Sequence, residues 1–429
     1  MIYKAFLNRQ EITGFPVKGK ETSEIWGGNT LLWKKSGGIR KNIVDYAAID
    51  KCTTTTGATL VNLIYGIKGT GGTISNKFAF FVGGSSIVKI IYDFSNIMQN
   101  EAGFAVAYKN YFYILHTDGL FENVKDFYKY SDKGELIFHY SNSDKVEKMF
   151  FQGFYVGDDD TFYCIFYNQL SSSYMPSPDT SVSPTVYEYK NGKNIGNRKI
   201  EKISCKSSST DYVSNQYKIS GKTFLESNRF LSPRYEYPFI QTLLEVETDK
   251  LSLFIIEDTF NSRYYTSYVS LGEHKESIYL TGRYDYNSYG SLVCKYDGEN
   301  YSPVYAAWED TAASLDWRNW GMRIQTPCAF YANNMYFISN PDSHNSKYPY
   351  GVYKLNLTTR GTPKLIYEMS KSEKITRIFY NKIEASYTFF RAVCLTIANN
   401  KLYVHKRFEV DKYSSDVYSA VYSIDEIPL

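Results

Sequence analysis

A motif in two parts returns along this chain, and it narrows the possible folds more than any other feature. The first part is a tight turn followed by a short aromatic strand. Its copies are Lys109-Asn110-Tyr111-Phe112-Tyr113-Ile114-Leu115, Lys275-Glu276-Ser277-Ile278-Tyr279-Leu280, Asn333-Asn334-Met335-Tyr336-Phe337-Ile338 and Asn399-Asn400-Lys401-Leu402-Tyr403-Val404. Asn in such turns supplies positive φ, and the residues after it favour strands. The second part alternates apolar and polar residues, as in Phe127-Tyr128-Lys129-Tyr130, Val186-Tyr187-Glu188-Tyr189, Val293-Cys294-Lys295-Tyr296, Val352-Tyr353-Lys354-Leu355 and Val421-Tyr422-Ser423-Ile424. Several copies run into a further turn, among them Ser131-Asp132-Lys133-Gly134, Lys190-Asn191-Gly192, Asp297-Gly298 and Thr359-Arg360-Gly361.

Copies recur about every 40 to 70 residues, which overlaps the period of propeller blades. A weaker copy precedes them, Lys77-Phe78-Ala79-Phe80-Phe81-Val82 with Ile87-Val88-Lys89-Ile90-Ile91. Between Val186 and Val293 there is room for one more unit, which Leu251-Ser252-Leu253-Phe254-Ile255-Ile256 and Tyr264-Tyr265-Thr266-Ser267-Tyr268-Val269 can supply. Each unit is a small twisted sheet that cannot bury both faces alone. A closed ring buries them and protects the strand edges. The expected fold is therefore all-β, a β-propeller of about seven blades, with six to eight compatible with the spacing. An array of β-sandwiches shares the short strands and turns. Helix is expected to be minimal, with Thr311 to Asp316 forming one short turn at most.

Aromatic residues make up 17% of the chain. Flat rings pack well on pleated sheets, so most are read as layers between blades and a minority as binding surface. The six cysteines, Cys52, Cys164, Cys205, Cys294, Cys328 and Cys394, form no CxxC pair, which points to reduced, buried side chains. A formal charge of +3 without a basic run lacks the footprint of a nucleic-acid binder. No N-terminal apolar stretch suits a signal peptide and no window approaches a membrane span. The expectation is synthesis in a cytoplasm with no export by the usual route and no membrane insertion.

Two stretches fall outside the repeat. Residues 170–185 are rich in Ser and Pro and read as a surface loop. Residues 1–35 read as a separate attachment hairpin, 36–75 as a connector and the start of the first blade, and 76–429 as the propeller. In the first of these, Gly28-Asn29 suits a two-residue hairpin turn between Glu24-Ile25-Trp26-Gly27 and Thr30-Leu31-Leu32-Trp33-Lys34. That register sets Ile25 against Leu32 and Trp26 against Leu31, on opposite faces. A ribbon apolar on both faces needs cover, from the propeller or from another chain.

These residues carry a resemblance. The runs Ile2-Tyr3-Lys4-Ala5-Phe6-Leu7-Asn8, Glu11-Ile12-Thr13-Gly14-Phe15-Pro16-Val17 and Glu24 to Lys34 resemble the opening segment of tail-tip and baseplate proteins. Those proteins belong to phages, prophages and phage-tail-like particles of low-GC Gram-positive bacteria. The resemblance implies that Ile25, Trp26, Leu31, Leu32 and Trp33 attach the chain to other tail or baseplate proteins. It further implies a propeller displayed toward a bacterial surface glycan or surface protein, in a virion or tail-like particle. Homo-oligomers are compatible with this role. A purely structural baseplate component that docks other subunits is the alternative. A propeller glycoside hydrolase or lyase acting on surface polysaccharide is a second alternative.

Chemistry is sparse in the sequence. The histidines His116, His139, His274, His344 and His405 form no HxH or HExxH, so no metal or cofactor is expected. Asp158, Asp159 and Asp160 lack the EF-hand pattern and read as a hairpin turn. No Asp-box or nucleophile elbow is found, and the glycines of 66–72 lack the Lys-Ser/Thr ending of a phosphate-binding loop. Glycosidases need two carboxylates flanking the bond, which a sequence alone does not place. No catalytic residue is assigned. Binding has more support, because Trp308, Trp317 and Trp320 lie beside Asp316, Arg318 and Asn319. Flat rings with adjacent hydrogen-bonding groups suit sugars. Tyr284, Tyr286 and Tyr289 have the same character, as do Tyr348 and Tyr350. The competing reading packs these rings between blades.

Overall fold

The structure is a computed structural model. It describes residues 6–7, 10–11, 24–27, 30–34, 40–44, 46–66, 68–69, 73–82, 88–93, 102–118, 123–143, 149–168, 181–182, 185–200, 203–204, 212–227, 242–246, 251–253, 265–284, 292–306, 324–339, 348–359, 361–378 and 383–429. Its strands form a β-propeller of seven blades, each with four antiparallel strands in order from the axis outward; in the seventh, Lys374–Ile378 adds a fifth strand against the start of Glu384–Ala398. The inner strands are Tyr46–Thr53, Ala102–Tyr108, Met149–Val156, Tyr212–Ile219, Tyr265–Glu273, Ile324–Tyr331 and Glu384–Ala398. Second strands are Thr59–Gly66, Tyr111–Asp118, Phe162–Asn168, Lys222–Ser227, Ile278–Tyr284, Asn334–Ser339 and Lys401–Val410. Third strands are Thr73–Phe81, Asn123–Ser131, Thr185–Lys190, Thr242–Val246, Leu292–Tyr296, Gly351–Asn356 and Ala420–Pro428. The outer strands are Val88–Asp93, Leu136–Ser141, Lys193–Lys199, Leu251–Leu253, Tyr301–Ala306, Lys364–Glu368 and, for the seventh blade, Arg40–Val44.

The two-part motif is thus the second and third strands of a blade, with the turns that precede and follow them, except that the weaker copy falls one strand later, residues 77–81 in a third strand and 88–91 in an outer one. Asn399 and Asn400 take φ of 51° and 56°, as expected, while in other copies the positive φ falls on Lys109 and Ala332. The inner strands escape the motif because they converge on the axis, where space is short. Ala47, Ala48, Ala105, Ala107, Ala329 and Cys394 are buried there.

Aromatic pairs fill the junctions between blades. Phe80 meets Phe112 between the first and second blades, and Phe127 meets Phe162 between the second and third. Further round the ring come Phe224–Tyr296, Tyr279–Phe330, Tyr350–Phe389 and Phe81–Tyr403, with centroids 5.2 to 5.8 Å apart. Such pairs contribute about 0.5–1.5 kcal/mol each beyond area burial. The ring closes by strand exchange: Arg40–Val44 pairs with the third strand of the last blade, Tyr422 facing Val44 and Glu426 facing Arg40. Cys52, Cys164, Cys294, Cys328 and Cys394 are free and buried, as expected.

The third blade departs from this scheme. The inner strands of the second and fourth blades pair directly and in parallel, Phe104 with Tyr212 through Ala107 with Asn215. The inner strand of the third blade is therefore not laddered between them. Its last residue is held by a side chain instead. Buried Gln216 accepts from Val156 N at 2.8 Å and donates to Val156 O at 2.7 Å, imitating one backbone step of a ladder.

Several expectations need correction. The Trp26–Leu31 pair holds, but a bulge shifts the register so that Ile25 faces Trp33, leaving Leu32 as the extra residue, while Gly28 and Asn29 lie outside the described residues. The unit between Val186 and Val293 exists, but only Leu251–Leu253 belongs to it, as its outer strand; Tyr265 already opens the next blade. Within 36–75, Arg40–Val44 completes the seventh blade and Tyr46–Gly66 spans two strands of the first. In the Ser/Pro stretch, Ser181–Val182 pairs with Ile203–Ser204, while 170–180 lie outside the described residues. Thr311 to Asp316, Cys205 and His344 also lie outside them.

Candidate functional site

Antiparallel blades send their connections to two faces of the disc. First-to-second and third-to-fourth connections leave one face, and they are tight. They include 54–58, 109–110, 157–161, 220–221, 274–277, 332–333 and 399–400 in the first set, and 132–135, 191–192 and 297–300 in the second. Second strands end and inner strands begin at the other face, and several of the sequence stretches between them there are longer: 169–180, 228–241, 254–264, 285–291 and 307–323, all outside the described residues.

The sequence-predicted binding residues belong to connections of the long-loop face. Trp308, Asp316, Trp317, Arg318 and Trp320 fall between Ala306 and Ile324, and Tyr286 and Tyr289 between Tyr284 and Leu292; all seven lie outside the described residues. Tyr284 ends a second strand, paired with Tyr265. Tyr350 is not available for a ligand. It is buried against Phe389, and its hydroxyl accepts from Ala392 N at 2.7 Å.

The same face carries a cluster that the sequence did not announce. At the long-loop end of the second blade, Asp126 lies between two histidines, 2.9 Å from His116 Nδ1 and 3.0 Å from His139 Nε2, and accepts from Ser141 Oγ at 2.8 Å. Tyr128 stacks on His139 at 4.3 Å. Burial alone would raise the Asp126 carboxyl. Hydrogen bonds from His116, His139 and Ser141 overcome it and hold the group well below the usual range. Three strands contribute, so only the pairing register brings these residues together.

The tight-turn face has an axial cavity of about 570 Å³. Blades one, four, five, six and seven line it, with Thr53, Asn215, Glu273, His274, Tyr331 and Asn400 among the lining residues. Burial, with Glu276 nearby, pushes the Glu273 carboxyl up to about 7. Burial lowers the His274 imidazole, which donates to Ala332 O at 2.5 Å and stacks on Phe330. Behind the cavity wall, burial and then Lys51 bring His405 down to about 3. His405 Nδ1 accepts from Ala48 N, and Nε2 hydrogen-bonds Thr396 Oγ1 at 2.9 Å.

Asp158, Asp159 and Asp160 form the expected turn, between Val156 and Phe162. Their side chains tie blades together. Asp158 receives Tyr108 Oη and Lys109 at 2.6 Å from the second blade, and Lys218 at 2.5 Å from the fourth. Asp160 receives Tyr113 Oη at 2.7 Å and Lys129 at 2.6 Å. Hydrogen bonds from Lys109, Lys218 and Tyr108 hold the Asp158 carboxyl far below its usual range. The acidic run was legible; its lysine partners were not. Among the described residues no group of His, Cys, Asp and Glu is arranged to hold a metal, and no helix is long and apolar enough to cross a membrane.

No protein-family model and no characterised relative matches the chain. Solved structures similar to it are propellers. The β-propeller domain of the Trilobed protease from Pyrococcus furiosus is 8% identical, covering 88% of this chain and 95% of that one, with a TM-score of 0.40. The phage phi92 endosialidase is 9% identical over 92% of this chain and 69% of that one, with a TM-score of 0.41. A subtype N11 neuraminidase-like protein of a flat-faced bat virus is 11% identical over 89% and 87%, with a TM-score of 0.33. At these values the likeness carries no argument about this chain. What the chain is, on its own strand pairing, is a seven-bladed β-propeller closed by an N-terminal strand.

Proposed function

We propose that this chain is a tail or baseplate component of a phage or phage-tail-like particle. Its propeller is displayed for binding to the bacterial host surface. What supports the reading is the division of the disc, in which the strands that bound the long stretches 285–291 and 307–323, with their Trp and Tyr residues, end at one face. Loops on a rigid scaffold are where binding specificity is built. The hairpin Glu24–Gly27 with Thr30–Lys34 precedes the closing strand in sequence and is not one of the blade strands, which supports a separate role for it.

Truncation after residue 35 spares Arg40–Val44, so ring closure survives it. The truncated chain is expected to fold and to bind Gram-positive cell walls while failing to join particles. Normal incorporation without residues 1–35 would remove the hairpin as the anchor. Absence of wall binding by the full chain would favour a structural baseplate component that docks other subunits. Release of reducing ends from wall polysaccharide would favour a glycan-cleaving enzyme.

A further inference from the structure

Between the sixth and seventh blades lies a lysine wholly shut off from water. The side chains of Lys406, on a second strand, and Asp425, on the third strand beside it, are each 0% exposed. Lys406 faces Ser423 and Val404 faces Asp425, so the two are diagonal neighbours on one side of the sheet. Lys406 Nζ stands 2.8 Å from Asp425 Oδ2. It also donates to both oxygens of Glu373, at 3.0 and 2.8 Å. Tyr367 Oη donates to Asp425 Oδ2 at 2.6 Å. The rings of Tyr367, Phe389 and Phe408 surround the ammonium at 5.4 to 5.7 Å. The second carboxyl oxygen, Asp425 Oδ1, is buried without a hydrogen-bond partner.

As an ion pair this arrangement is costly. Desolvating two charges is repaid only when the remaining lone pairs are satisfied, and buried polar atoms are nearly always paired. Asp425 Oδ1 is not. An amide between the two side chains would remove both charges and the orphan oxygen together, in a site already free of water.

We propose that Lys406 and Asp425 are a modification site, where the two side chains condense into an intramolecular isopeptide bond with Glu373 as the proton carrier. Lys406 gives a proton to Glu373, and the free amine attacks Asp425 Cγ, forming the Nζ–Cγ bond. The Tyr367 hydroxyl stays on Oδ2, which becomes the amide carbonyl. The Cγ–Oδ1 bond breaks, and Oδ1 leaves as water with two protons that began on the ammonium, one passed through Glu373. One proton remains on the amide nitrogen, and no oxidant, reductant or other reactant is consumed. Glu373 ends as it started.

This inference does not depend on the surface-binding reading, and mass spectrometry decides it. The denatured full chain is expected to weigh one water less than its sequence. Proteolysis should give a branched peptide joining the segments that hold Lys406 and Asp425. In Glu373→Ala the full sequence mass is expected to return, with circular dichroism reporting an intact fold. Wild-type chain that is folded yet retains the full sequence mass overturns the proposal without any variant having to fold. So does a water loss that maps to other residues.

Discussion

The two faces of this disc grow from one repeat and could hardly be more different. On one face, turns of a few residues lock blade to blade through lysine–aspartate contacts around Asp158 and Asp160. On the other, stretches such as 228–241, between paired strands, exceed what closing an antiparallel pair requires. Under the proposed reading, architecture and recognition are divided between the faces. Changes on the tight-turn face should be felt in stability, and changes on the long-loop face in binding.

Four experiments can break or sharpen this contrast. The largest effect is expected from Trp317→Ala with Trp320→Ala, which should weaken binding to bacterial walls about tenfold or more, corresponding to about 1.4 kcal/mol or above. The melting temperature should hardly move. An equal loss of binding from Asn400→Ala, on the opposite face, would erase the distinction. Next comes the seam where the ring closes, at the base of the long-loop face. A Cβ on Gly66 would collide with the Ala420 carbonyl oxygen. Gly66→Ala should therefore destabilise by about 1–3 kcal/mol in denaturant titrations.

On the tight-turn face, Asp158→Ala removes the meeting point of Tyr108, Lys109 and Lys218. The carboxylate and its two lysines are about half exposed, so a cost of only about 1 kcal/mol is expected by thermal unfolding, shrinking further in high salt. The last experiment concerns pH. Glu273 has its folded value raised from 4.5 to about 7, so the folded state binds the extra proton and stability should fall as pH rises across that window. His405 is lowered from 6.5 to about 3, so the unfolded state takes up the proton first and stability should fall as pH drops below 6.5. The two trends oppose each other between 4.5 and 6.5. Glu273→Gln should expose the histidine's acid sensitivity on its own, and an unchanged pH profile would show that Glu273 is not shifted.

Much of the scaffold was legible because second and third strands combine a turn with alternation, the strongest local signals of a hairpin. Tyr336 and Tyr353 are such positions, buried where the pattern places them. Inner strands such as Ala102–Tyr108 were not legible, since crowding at the axis selects small residues that carry no period. The Asp126 cluster was hidden for a related reason. Its members are separated in sequence and meet only through register, including a bulge between His116 and Thr117. The hairpin register slipped by one residue at Leu32 because bulges leave little mark on an apolar run.

The Gln216 clamp gives the third blade a peculiar status. Since the neighbours on either side of it are already laddered to each other at the axis, the circumference near the axis is complete without it. A gene could gain or lose the segment from Met149 to Lys199 without reopening the innermost circle. Rings of this kind can grow by wedging a sheet in from outside, and side-chain amides then serve as the stitches.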